Sequence, residues 1–84
     1  MRTVTVYRYL TPEERVEIGR AWLMPSGVAA VSGFDPTVRA HYQNEGIMDF
    51  TQGDLVPIRE GARFLDTLLA DHQRTYVRAE ESDE

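Results

Sequence analysis

The stretch from Arg59 to His72 constrains this chain more than any other. Within it Gly61, Phe64, Leu65, Leu68, Leu69 and His72 recur three and four residues apart. That spacing stacks side chains on one face of a helix, while Arg59, Arg63, Asp66 and Asp71 fall mostly elsewhere. A helix with a single apolar stripe buries it against a second layer. With 84 residues, the chain makes one domain, so the remaining segments must supply that layer.

Strand signals are found at both ends. Arg2 to Leu10 is rich in Thr, Val and Tyr, which favour a pleated, half-buried surface. Val4, Val6 and Leu10 share one parity and are expected to face the core. Thr3, Thr5, Tyr7 and Tyr9 share the other. Thr11-Pro12-Glu13-Glu14 then has the residues of a capping box with proline at the first helical position. Val16, Gly19, Trp22 and Leu23 follow at helical spacing, so a first helix is expected, ended by Pro25-Ser26-Gly27. Gly27 to Phe34 reads as a second strand. Asp35-Pro36 repeats the cap signature, which predicts a short helix over Thr37 to Asn44. Ile47 to Phe50 and Leu55 to Val56 are candidate strands around Thr51-Gln52-Gly53-Asp54. Thr75 to Ala79 is a final short strand with Val77 turned inward. The expectation is an α+β domain over residues 1–79: a three- to four-stranded sheet with two main helices on one face, with a ferredoxin-like split β-α-β plait as the first topology to consider.

Charge separates the body from the tail. The net charge is −5, and all nine basic residues are arginine. Four of the fourteen acids, Glu80, Glu81, Asp83 and Glu84, lie in the last five residues; without them ten acids face nine arginines. The body is nearly neutral, and residues 80–84 read as a disordered, solubilising acidic tail. The absence of cysteine removes disulfides and thiolate zinc sites as staples. Small scaffolds without staples often gain core by pairing, which makes a homodimer a reasonable expectation. No secretory signal is legible at Met1-Arg2-Thr3-Val4 and no apolar run is long enough for a membrane span, so the expected location is cytoplasmic.

Few residues suggest chemistry. His41 and Glu45 are four apart on the expected short helix, a spacing that suits two metal ligands, with Asp49 as the nearest third. An exposed polar pair explains the same spacing. These residues carry the alternative reading of the chain: a small-molecule or metal-binding protein, or a minor enzyme, with His72 as a further participant. His72 is equally explained as a helix C-terminal residue favoured by the dipole. The sequence contains neither a Gly-x-Ser-x-Gly elbow nor a P-loop. No cofactor is expected, and the balance is against an enzyme.

The aromatic and arginine residues suggest a surface instead. If Val4, Val6 and Val77 face the helices, Tyr7, Tyr9, Tyr76 and Arg78 face the other way and stud the open side of the sheet. Tyrosine and arginine are frequent interface anchors, and they can also stack on bases. Nucleic-acid binding needs phosphates neutralised, and this body has no positive excess. A protein partner or a second copy is therefore the expected occupant.

The stretch Gly46-Ile47 to Gly53-Asp54-Leu55-Val56-Pro57, then Gly61-Ala62-Arg63-Phe64-Leu65-Asp66-Thr67-Leu68 and Tyr76-Val77-Arg78-Ala79, resembles the C-terminal half of small uncharacterised bacterial proteins. In these a Val-Pro step leads into a Gly…Phe-Leu…Leu helix, followed by a Tyr-x-Arg-Ala strand. The resemblance covers about half the chain. It implies a bacterial origin and a helix followed by a strand, and it brings no activity or site residues.

Overall fold

A computed structural model of the chain describes residues 1–44 and 56–83. Along the chain run β1 (Thr3–Tyr9), β2 (Arg15–Leu23), β3 (Ala29–Ser32), α1 (Pro36–Asn44), β4 (Val56–Ile58), α2 (Gly61–Asp71) and β5 (Val77–Ser82). The strands form one sheet in the order β4-β3-β2-β1-β5, every neighbouring pair antiparallel. Both helices contribute to a core on one face of that sheet, giving the expected α+β class. A four-stranded antiparallel body, β3-β2-β1-β5, is extended at one side by the three-residue β4.

The main difference from expectation lies between Thr11 and Leu23. This segment is a strand, and β1-β2-β3 is a meander rather than part of a split β-α-β plait. The capping chemistry of Thr11 is present but closes a hairpin. Its Oγ accepts from the Glu14 N–H at 3.0 Å and the Glu13 N–H at 3.3 Å, while the Leu10 N–H donates to the Glu14 carbonyl at 2.8 Å. The same side-chain bond that starts a helix can tighten a turn.

A β-bulge explains the misleading helical spacing. The β1–β2 register shifts between Val6 and Tyr7: Val6 stands opposite Gly19, and Tyr7 opposite Glu17. Ile18 is the extra residue, so Ile18 and Gly19 are both buried on the core side. Strand alternation changes parity there. Val16 and Ile18 lie on the core side before the bulge, and Gly19, Ala21 and Leu23 after it. Trp22, expected on a helical stripe, is thereby turned to the opposite face and is half-buried.

The core is built from Val4 and Val6 of β1, Ala21 of β2, Ala29 and Val31 of β3, Ile58 of β4 and Ala79 of β5. Phe64, Leu65 and Leu68 of α2 lie over them, with Phe34, Val38 and Tyr42 from the α1 region. The apolar stripe anticipated for α2 is the one buried. Helix α2 links β4 to β5 at opposite edges of the sheet, so it crosses the sheet and touches β1, β2, β3 and β5. Its first residue, Gly61, fits so closely that its N–H donates to the Gly27 carbonyl at 3.0 Å. Gly27 itself has φ of 89° in the β2–β3 turn, a conformation suited to glycine.

Other expectations shift in detail. Leu10, expected in the core, is 62% exposed because β1 ends at Tyr9 and Leu10 belongs to the β1–β2 turn, its N–H bonded to the Glu14 carbonyl. The acidic residues read as a disordered tail are partly strand. Ser82, Glu81 and Glu80 stand opposite Thr3, Val4 and Thr5. Their charge is offset locally: Arg2 pairs with Glu81 and with Asp66 of α2, Arg15 pairs with Glu80, and the N-terminal amine lies 3.4 Å from Asp83. On its outer side β5 meets the segment after α2, where the Ala79 N–H donates to the His72 carbonyl at 2.8 Å and the Arg74 N–H to the Val77 carbonyl at 3.1 Å. The candidate strand at Ile47 to Phe50 and the turn at Thr51 to Asp54 lie outside the described residues.

Candidate interaction face

Residues paired across an antiparallel ladder project from the same side, so the register maps the sheet face opposite the helices. Four rows cross it. Arg15, Tyr9 and Tyr76 form the first, since Tyr9 pairs with Arg15 and its N–H donates to the Tyr76 carbonyl at 2.7 Å. Glu17, Tyr7 and Arg78 form the second. The third is Ser32, Arg20, Thr5 and Glu80. Ala30, Trp22, Thr3 and Ser82 make the fourth. Among the described residues no helix or further strand lies on this side. Tyr7, Tyr9, Tyr76 and Arg78, picked out from strand parity, thus share one face.

An arginine strap crosses the face. The Arg15 guanidinium carbon lies 3.9 Å from the centroid of the Tyr7 ring, its Nη1 is 3.4 Å from the Tyr9 hydroxyl, and it reaches Glu80 on β5. The hydrogen bond to Tyr9, then the Glu80 carboxylate, raise the Arg15 pKa above its ordinary value. Such a cation over an aromatic ring is attracted by the ring's negative face. Arg20 donates to Glu17 at 2.7 Å along β2. Beneath these side chains Thr5 is 7% exposed, although it is on the open face. Tyr76, at 71%, stands clear of the surface. Among the described residues, Arg78 makes no ion pair.

Arg15, Glu17, Arg20, Trp22 and Glu80 were not expected on this face. The first four were hidden by reading β2 as a helix, and Glu80 by reading it as tail. The β-favouring Val16, Ile18 and Trp22, with a glycine between them, were the available sign of a bulged strand.

The histidines occupy the other side. The Tyr42 hydroxyl donates to the Asp71 carboxylate at 3.0 Å, joining α1 to α2, and the His41 Nε2 lies 3.9 Å from the same carboxylate. Tyr42 is fully buried; its burial and then its Asp71 partner push its pKa far above the ordinary tyrosine value. Its ring meets Phe64 edge-on at 5.5 Å and His72 at 6.2 Å. His72 ends α2, with Nδ1 2.8 Å from the Leu68 carbonyl, the helix-end role that its position suggests. Glu45 and Asp49 lie outside the described residues. No group of three or more His, Cys, Asp or Glu side chains among the described residues could hold a metal ion.

Among the described residues, no helix is long and apolar enough to cross a membrane. Compared with protein-family models, curated proteins and solved structures, the chain gives no significant match.

Proposed function

We propose that this protein works by protein contact, as a self-associating or accessory module, through the sheet face bearing Tyr7, Tyr9, Tyr76 and Arg78. The observation that carries this reading is the ladder register. It gathers three tyrosines, Trp22 and several arginines on the side of the sheet opposite the helices. Aromatic rings and guanidinium groups supply large contact area at modest entropic cost and dominate protein interfaces. The face carries Arg15, Arg20 and Arg78 against Glu17 and Glu80, a nearly balanced set, which favours a protein surface over a polyanion.

Light scattering coupled to size exclusion, over a concentration series, tests the self-associating form. The expected outcome is a mass above one chain that falls to one chain in Tyr7→Ser/Tyr9→Ser, with the fold preserved by circular dichroism. A strict monomer at every concentration, unchanged by the two substitutions, removes that form of the proposal.

A further inference from the structure

The charges on the open face form a checkerboard that is complementary to itself. In the row through Tyr7, Glu17 of β2 is negative and Arg78 of β5 is positive. In the next row, through Thr5, the signs exchange: Arg20 of β2 is positive and Glu80 of β5 is negative. A two-fold axis lying in the plane of the interface and running across the strands, midway between these rows, maps each row onto the other. Glu17 then faces Arg20 of a second copy, and Arg78 faces Glu80. The outer rows also exchange: Arg15 meets Trp22, and Tyr9 meets Thr3. No like charges are opposed.

We infer that the occupant of this face is a second copy of the chain, docked face to face about that axis with its strands running in the opposite direction. This rests on the proposed function and adds the partner and its registration. An isologous pair requires one patch to complement itself under a two-fold rotation, and opposed potentials fix register. A two-fold axis running along β1 would also oppose unlike charges, pairing Glu17 with Arg78 and Arg20 with Glu80. Like the transverse axis, it overlaps β2, β1 and β5 of the two copies, because β3 and β4 stand beside only the Arg20–Leu23 part of β2. The outer row separates the two: the transverse axis sets Arg15 against the Trp22 indole of the second copy, the ring that attracts a cation best, where the axis along β1 would set it against Tyr76. The four rows across β2, β1 and β5 span roughly 20 by 15 Å at ordinary strand spacing. That is a small interface, so the dimer dissociates on dilution.

The test is charge-reversal complementation, read by sedimentation equilibrium. In Arg78→Glu the dimer would oppose residue 78 to Glu80 as two carboxylates, and in Glu80→Arg as two guanidinium groups, each arising twice by symmetry. Each variant alone is expected to raise the dimer Kd by about tenfold or more. Mixed in equal amounts, they restore both opposite-charge pairs and return the Kd to near that of the unaltered chain. Glu17→Arg mixed with Arg20→Glu provides a second, independent pair, should either β5 variant disturb folding by circular dichroism. A dimer that is lost in Tyr7→Ser/Tyr9→Ser but is not restored by either mixture overturns the transverse registration and leaves the proposed face intact. Charge reversals that do not weaken the dimer also overturn it. A wild-type chain that stays monomeric overturns this inference together with the self-associating form of the proposed function.

Discussion

Replacing Gly61 by alanine is expected to destabilise the protein, although the position opens a helix. Alanine is favoured over glycine in helices by up to ~1 kcal/mol, and a reading of α2 in isolation would forecast a gain. The surroundings decide otherwise. A Cβ on Gly61 would lie 2.5 Å from the Ala29 nitrogen, 2.7 Å from the Gly27 carbonyl oxygen and 2.8 Å from Leu23 Cδ1. Leu23 can turn aside, but the first two atoms are backbone of the β2–β3 turn and of β3. The helix end must back away, stretching the Gly61–Gly27 hydrogen bond, worth about 1 kcal/mol. Overpacking of this kind costs about 1–3 kcal/mol, so a net loss of about 2 kcal/mol is expected after the helical gain is set against it. A domain of this size holds only about 4–13 kcal/mol in total. With a urea slope near ~1 kcal/mol per molar for a small domain, the midpoint should fall by about 1–2 M. Ala62→Gly, at the exposed neighbouring position, is the control and should lose less than about 1 kcal/mol by propensity alone. A Gly61→Ala protein as stable as the parent, with unchanged slope, would refute the claim that backbone contact fixes this helix end.

Two further outcomes follow from the same structure. Tyr42→Phe removes the bond to Asp71 and should cost about 1 kcal/mol near neutral pH. Because the folded state holds the Tyr42 proton more tightly than the unfolded state, the stability due to this group is complete below about pH 10 and is lost as pH rises above it, by up to ~1.4 kcal/mol per unit. Chemical denaturation between pH 9 and 11 should therefore show a steeper decline in the parent than in Tyr42→Phe, and parallel declines would refute the buried-donor assignment. Ending the chain after Ala79 removes the pairs that Glu80, Glu81 and Ser82 make with β1. At about 1 kcal/mol for each ladder bond lost, stability should fall by roughly 2–3 kcal/mol, and a truncated chain with an unchanged urea midpoint would restore the tail reading of these residues.

What the sequence made legible follows a physical division. Helix α2 was readable because a regular period of 3.6 residues is its own signature, and α1 because Asp35 caps it locally: the Asp35 Oδ1 accepts from the Val38 N–H at 3.0 Å. Strands β1 and β3 were readable from their β-branched residues. β2 was not, because one inserted residue converts period two into a sequence of three- and four-residue gaps, and because the Thr11 turn uses the same hydrogen bond as a helix start. The final residues of β5 were hidden by their composition. Glu80 and Glu81 look solvated in one dimension, and only the fold brings Arg15 and Arg2 to them. The candidate face was therefore half legible. Its β1 and β5 tyrosines follow from simple parity. Its β2 column depends on where the bulge falls, and the checkerboard emerges only when β2 and β5 are set on either side of β1.

The strip of backbone following α2 bears on how large an assembly this chain can build. By occupying the outer amide of Ala79 and the outer carbonyl of Val77, it takes hydrogen-bonding positions that a strand from another molecule would need at this edge. Extension of the sheet beyond β5 would first have to displace it. The proposed two-fold association through the open sheet face would use up its own surface on pairing. With the β5 edge occupied, that association would end in closed pairs rather than filaments growing along this edge.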